Sequence, residues 1–217
     1  MKEGVRWWNL LAIPLVPCTI MLLSTYVNAQ TIFLLRNKDF FDVTPDRIGR
    51  VSSLLVLVGL PGGAIGTFTS GYIFDILGRK VTLFTVFFVG SGLVATIPYT
   101  SPVVIPSLLI VRVLITIVLS APASNPLVAD YIHKEAIGKA AAFVGIGFII
   151  GEVLSMGVLF RLTQDFTPQI AFIVVSIVGA IFSFIFIFVV REPKLRESGD
   201  YANKGEVEVT ERDLDQE

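Results

Sequence analysis

One cysteine and one histidine occur among the 217 residues. A lone Cys18 excludes an intrachain disulfide framework and any multi-cysteine metal site. His133 stands among Asp130, Lys134 and Glu135; it is expected to be a solvated connecting residue, with a pH sensor as the alternative. Charge is the more telling scarcity. Of the 35 charged side chains, 14 fall in the last 27 residues, Arg191 to Glu217, which leaves 21 for the first 190. A soluble domain carries about 25% charged residues, so those 190 cannot clothe a water-facing surface. That excludes a soluble enzyme. The net charge of −1 divides into +3 before Arg191 and −4 from there on. Nucleic acid, which requires a basic face or stripe, is excluded as a partner.

What the chain has instead is long uncharged runs: Trp7 to Leu35 (29 residues), Val51 to Phe74 (24), Val81 to Val111 (31) and Phe166 to Val190 (25). A bilayer needs roughly 20 apolar residues per helix. The third run is broken at Pro98-Tyr-Thr-Ser-Pro102, where two prolines with polar residues between them favour a turn. Two further helices follow, one carrying Arg112 and one carrying Glu152. The expectation is an all-α membrane protein of six helices, at about 7–35, 48–74, 81–98, 102–129, 138–160 and 167–190. The first run is preceded by Lys2 and Arg6, but it exceeds the roughly 7–15 residues of a signal-peptide core and is expected to be retained. The segment 191–217 is acidic and poor in large apolar residues, the composition of a disordered tail.

Six spans place both termini on one side of the membrane. That side collects Lys2, Arg6, Arg79, Lys80, Lys134, Lys139, Arg191, Lys194 and Arg196, against Arg36, Lys38, Arg47, Arg50 and Arg161 on the other. The excess of lysine and arginine predicts cytoplasmic termini.

Between the second and third spans the chain runs Gly71-Tyr-Ile-Phe-Asp75-Ile-Leu-Gly78-Arg79-Lys80. Gly71 is expected to let the second helix end close against a neighbour, and Gly78 to permit a tight turn. Asp75 stands where Arg79 or Lys80 can pair with it. The segment resembles the signature of the major facilitator superfamily, with Ile76 where that family often has a basic residue. A fainter likeness, Leu108-x-x-x-Arg112, resembles the family's fourth-helix pattern, but Thr116 and Val118 replace its glycines. The resemblance covers residues 7 to about 190 and implies the N-terminal six-helix half of such a transporter, itself a 3+3 inverted repeat. It further implies alternating access around a mid-membrane site, with Asp75, Arg79 and Lys80 helping to hold the cytoplasmic side in one state. Members generally have two such halves, so either a homodimer or a missing C-terminal half is implied. No cofactor is implied, and no ATP site is visible.

Ionisable groups at mid-membrane cost on the order of 2.5–3.5 kcal/mol each even on lenient scales, so Arg112 and Glu152 need a reason. Their depths match within about one helical turn, ~5 Å, and they are expected to pair or to share a proton or substrate charge; a purely structural ion pair is the alternative. Thr116, Ser120 and Ser124 step by four from Arg112, and Ser24, Asn28 and Thr31 form a comparable face on the first helix. These are candidate substrate-lining residues, unless the hydroxyls merely bond backbone. Gly59, Gly62, Gly63 and Gly66, and Gly145, Gly147 and Gly151, suit either close helix packing or sliding faces.

Other six-span classes fail on their motifs. Gly90-Ser91-Gly92 lacks the spacing of an intramembrane serine protease, and Asn125-Pro126 occurs once, without the alanine that a water channel repeats. An arginine ladder and a triplicated carrier element are both missing. The expected function is transport of a small solute or ion across a bilayer. The alternatives are a truncated fragment or a non-transporting scaffold or sensor.

Overall fold

The computed structural model describes residues 5–192, and the expected disordered tail beyond Glu192 lies outside the described residues. Among the described residues, six helices are long and apolar enough to cross a membrane: α1 (Trp7–Arg36), α2 (Pro45–Leu77), α3 (Arg79–Thr100), α4 (Val104–Tyr131), α5 (Ile137–Thr163) and α6 (Pro168–Val189). No strand occurs among the described residues.

The helix ends depart from the uncharged runs for local reasons. Helix α2 starts at Pro45, whose fixed φ and missing N–H suit the first helical position. It carries Asp46, Arg47 and Arg50 in exposed turns before the apolar run begins. Charge ends a lipid-compatible stretch; it does not end a helix. At the other end α2 runs through Asp75 to Leu77 and stops at Gly78, whose φ of +82° disfavours any residue with a Cβ.

Helix α4 is less regular than a single span from 102 to 129 would be. It opens on a wide turn at Val104–Leu108 and tightens into a 3₁₀ turn at Ala121–Ser124. There Pro122 and Pro126 withhold backbone donors. Asn125 takes the left-handed conformation (φ 41°), and its Nδ2 donates to the Ile13 carbonyl at 2.9 Å, fastening the break to α1.

Packing falls into three main pairs: α1 with α5, α2 with α4, and α3 with α6. Exchanging each helix with the one three places along leaves this set of pairs unchanged. The glycines explain two of the pairs. A Cβ at Gly147 or Gly151 would strike the Pro14 or Cys18 carbonyl of α1, and one at Gly66 would strike the Ile117 carbonyl of α4. In lipid, where apolar side chains gain nothing by leaving water, such close backbone contact is a main source of helix adhesion. These glycines are therefore packing positions inside the bundle. The third pair is aromatic: Phe87 and Phe186 are buried and stack with centroids 5.0 Å apart. Ser176 Oγ also donates to the Ser91 carbonyl at 2.6 Å.

Gly71 is different. A Cβ there would meet nothing, so the expected close neighbour at this end of α2 is not within the described chain. Exposed residues such as Leu57, Leu60, Phe68 and Tyr72 continue the same open character along α2. So large an apolar surface requires lipid or another bundle against it.

Candidate functional site: a buried arginine and an ion-pair cluster

Two adjoining cavities, of about 290 Å³ and about 250 Å³, share Asn28 of α1, Val56 of α2 and Arg112 of α4 in their walls. The first is also lined by Ser24, Leu60, Thr116 and Ser120. The second takes in Thr31, Ser52 and Met156. The sequence-derived faces of the first and fourth helices therefore converge on one place.

Arg112 is 7% exposed, and one of its Nη groups donates to the Asn28 Oδ1. Its Nε is buried without a partner, and it makes no ion pair among the described residues. The expected pairing with Glu152 does not form: Glu152 is exposed on α5. The reason is the helix order. Helix α5 packs on α1, so Arg112 reaches the amide of α1 in place of the acid on α5. Glu152 nevertheless stands one turn before Met156, which borders the second cavity.

The hydroxyls divide. Thr116 Oγ1 donates to the Arg112 carbonyl at 2.9 Å, and Thr31 bonds the Val27 carbonyl within its own helix. Ser120 Oγ lies 2.9 Å from the Gly63 carbonyl of α2, tying α4 to α2. All three oxygens keep a free acceptor face but no spare proton. Ser24 has no such internal bond and remains open to the first cavity. Ser124, at the 3₁₀ break, lines neither cavity.

The second polar site lies where α2 ends and α3 begins. Arg79 Nη1 meets Asp75 Oδ1 at 2.9 Å, and its Nε meets Asp130 Oδ2, at the end of α4, at 2.8 Å. Arg79 and Asp130 are each 18% exposed, whereas Asp75 is 73% exposed. Arg79, not Lys80, is thus the partner of Asp75. Glu192, just past α6, accepts from the backbone N–H of Arg79 (2.9 Å) and of Lys80 (2.7 Å). It thereby caps the otherwise unpaired donors at the start of α3. The Tyr131 hydroxyl donates to the Arg191 carbonyl and accepts from the Arg191 N–H, both at 2.8 Å. The chain leaving α6 is thus clamped to the end of α4.

Asp130, Tyr131 and Glu192 are site residues that sequence reasoning missed. Span parity placed them at the same end as Arg79, but no local motif links positions 51 and 113 residues away from it.

This arrangement of a short connection, a tight Gly78 turn and a shared arginine belongs to the segment with the family-like signature. A sequence model of the Major Facilitator Superfamily matches residues 11–211. The chain belongs to the major facilitator superfamily. Its members are transporters, not enzymes. No curated protein matches the sequence. Among solved structures, the MFS proton:xylose symporter XylE bound to 6-bromo-6-deoxy-D-glucose superposes on 85% of this chain with a TM-score of 0.64 at 19% identity. The chain spans 45% of the XylE length, so the likeness is to one six-helix half of the superfamily fold.

Proposed function

We propose that this chain supplies the N-terminal half of a secondary or facilitative transporter that moves a small solute by alternating access. The observation that carries the proposal is Arg112: a buried cation in the wall of a cavity, hydrogen-bonded to a neutral amide and without a carboxylate partner among the described residues. A structural charge at membrane depth is ordinarily neutralised by a neighbour. One left open to a cavity can take the negative charge of a substrate or respond to a coupled ion. Ser24 and Asn28 would then orient the solute, with Thr31, Thr116 and Ser120 offering acceptors, and Glu152 at the cavity margin would exchange a proton or ion.

The open face at Gly71 is where the second six-helix half would sit, supplied by another copy of the chain or by a separate C-terminal half. The end carrying Asp75, Arg79 and Lys80 would face the cytosol together with both termini, and its ion pairs would hold one of the two access states. A cysteine introduced at Ser101 should then react with impermeant maleimide from outside the cell, and reaction only after permeabilisation would reverse the orientation.

Uptake across panels of sugars, organic ions and small acids tests the whole reading. Transport that is lost in Arg112→Ala and altered in coupling by Glu152→Gln supports it. Cross-linking in membranes that finds only monomers, together with uptake indifferent to both substitutions, would leave a non-transporting scaffold.

A further inference from the structure

A third cavity, of about 410 Å³, lies away from Arg112 and borders the Arg79 cluster, at the end of the bundle where α1 begins and α6 finishes. Its walls include Arg6, Trp8, Lys80, Phe188, Arg191 and Glu192. Three cations and one acid face it, but the acid is spoken for. Both Glu192 oxygens accept backbone N–H groups at the start of α3. Neither Arg6 nor Lys80 makes an ion pair among the described residues.

The cavity does not open onto a simple aqueous rim. The Arg6 guanidinium lies over the Trp8 ring at 4.9 Å, and Trp7 meets Trp8 edge-on at 5.8 Å. Trp7 is 69% exposed and Phe188 80% exposed, so Arg6 and Lys80 stand beside bare aromatic rings. Both belong to the ends of membrane spans, the level at which tryptophan meets lipid headgroups. The pocket is built rather than incidental. Asn9 is buried, its Oδ1 accepting from the Arg6 N–H at 3.0 Å and its Nδ2 donating to the Val189 carbonyl at 2.7 Å. The start of α1 is thereby pinned against the end of α6, with Arg6 at the cavity.

We infer that this cavity binds the phosphate of an anionic phospholipid from the adjoining leaflet, held by Arg6 and Lys80, with the lipid chains running along Trp7 and Phe188. A soluble phosphate would satisfy the cations but leave those rings bare, and a zwitterionic lipid would offset its phosphate with its own cation. The inference needs only the membrane setting and holds whether or not the chain transports.

The two tryptophans of the chain, Trp7 and Trp8, both stand at this site, so their fluorescence reports on it alone. The full chain would be placed in phosphatidylcholine vesicles containing a fixed minority of lipid with brominated chains, either phosphatidylglycerol or phosphatidylcholine. Brominated phosphatidylglycerol should quench more strongly, with a relative affinity of roughly five-fold for each basic side chain engaged. The preference should fall in Arg6→Gln, fall further when Lys80→Gln is added, and persist in Arg47→Gln with Arg50→Gln at the opposite end. Arg6→Gln alone keeps the test valid if the double variant misfolds, because Arg6 stands outside the Arg79 cluster. Equal quenching by the two lipids, or a preference indifferent to Arg6, would overturn the site. Loss of the preference on adding inorganic phosphate would make it a soluble-anion pocket and overturn the lipid assignment.

Discussion

Arg79 and Arg112 are both largely withdrawn from solvent, yet the two regions treat the same charge in opposite ways. At the end of the bundle Arg79 is held by two carboxylates on different helices, and a third carboxylate caps the helix it begins. At mid-membrane Arg112 has one amide oxygen and a buried Nε with no hydrogen-bond partner among the described residues. A guanidinium offers five donors in a fixed fork, so the first environment uses the fork and the second leaves part of it idle. Under the proposed function, the contrast separates a charge that builds structure from a charge kept available to a solute. It also explains why the family signature sits with the former. Motifs record local geometry that every member needs, whereas a substrate site varies with the solute.

Thermal unfolding in one detergent can break or sharpen this contrast. Arg79→Ala should cost the most, about 3 kcal/mol, because it strands Asp130 at a mostly buried position beside Asp75. Arg112→Met should act with the opposite sign, raising stability by about 1–2 kcal/mol, since it removes an uncompensated buried charge and keeps apolar volume. If both variants destabilise alike, the distinction between the two regions fails. Glu192→Ala should cost about 1 kcal/mol through loss of the cap on α3, with Glu192→Gln retaining part of it. Asp75→Asn should be smallest, within about 0.5 kcal/mol, because that acid is mostly exposed and its pair with Arg79 is screened by solvent. A large effect there would mean that Asp75, not Asp130, anchors the cluster.

Much of the fold is legible in the sequence. Four long uncharged runs, the prolines at 98 and 102 that divide the longest of them, and two apolar stretches carrying Arg112 and Glu152 together predict six spans. The signature segment announced its own turn, since Gly78 needs a positive φ and Asp75 stands four residues before Arg79. Helical spacing also brought Ser24, Asn28, Thr31, Thr116 and Ser120 to the walls of adjoining cavities. Side-chain partners are less legible. Depth alone matches Arg112 with Glu152, but depth is one coordinate of three, and the order of helices around the bundle assigns Asn28 instead. The signature predicts a close neighbour at Gly71, and the described residues contain none.

The sequence by itself determined that this chain belongs in a bilayer, that it carries six spans, and where its tight signature turn falls. Those are consequences of composition, run length and local backbone preference, which act over a few residues or a few turns. Only the tertiary structure decided that Glu192 caps α3, that Asp130 shares Arg79, and that Arg112 faces a cavity without an acid. Such choices depend on which helix packs beside which. In lipid that is settled by glycine-to-backbone fit and aromatic stacking between distant segments, and no stretch of sequence displays it alone.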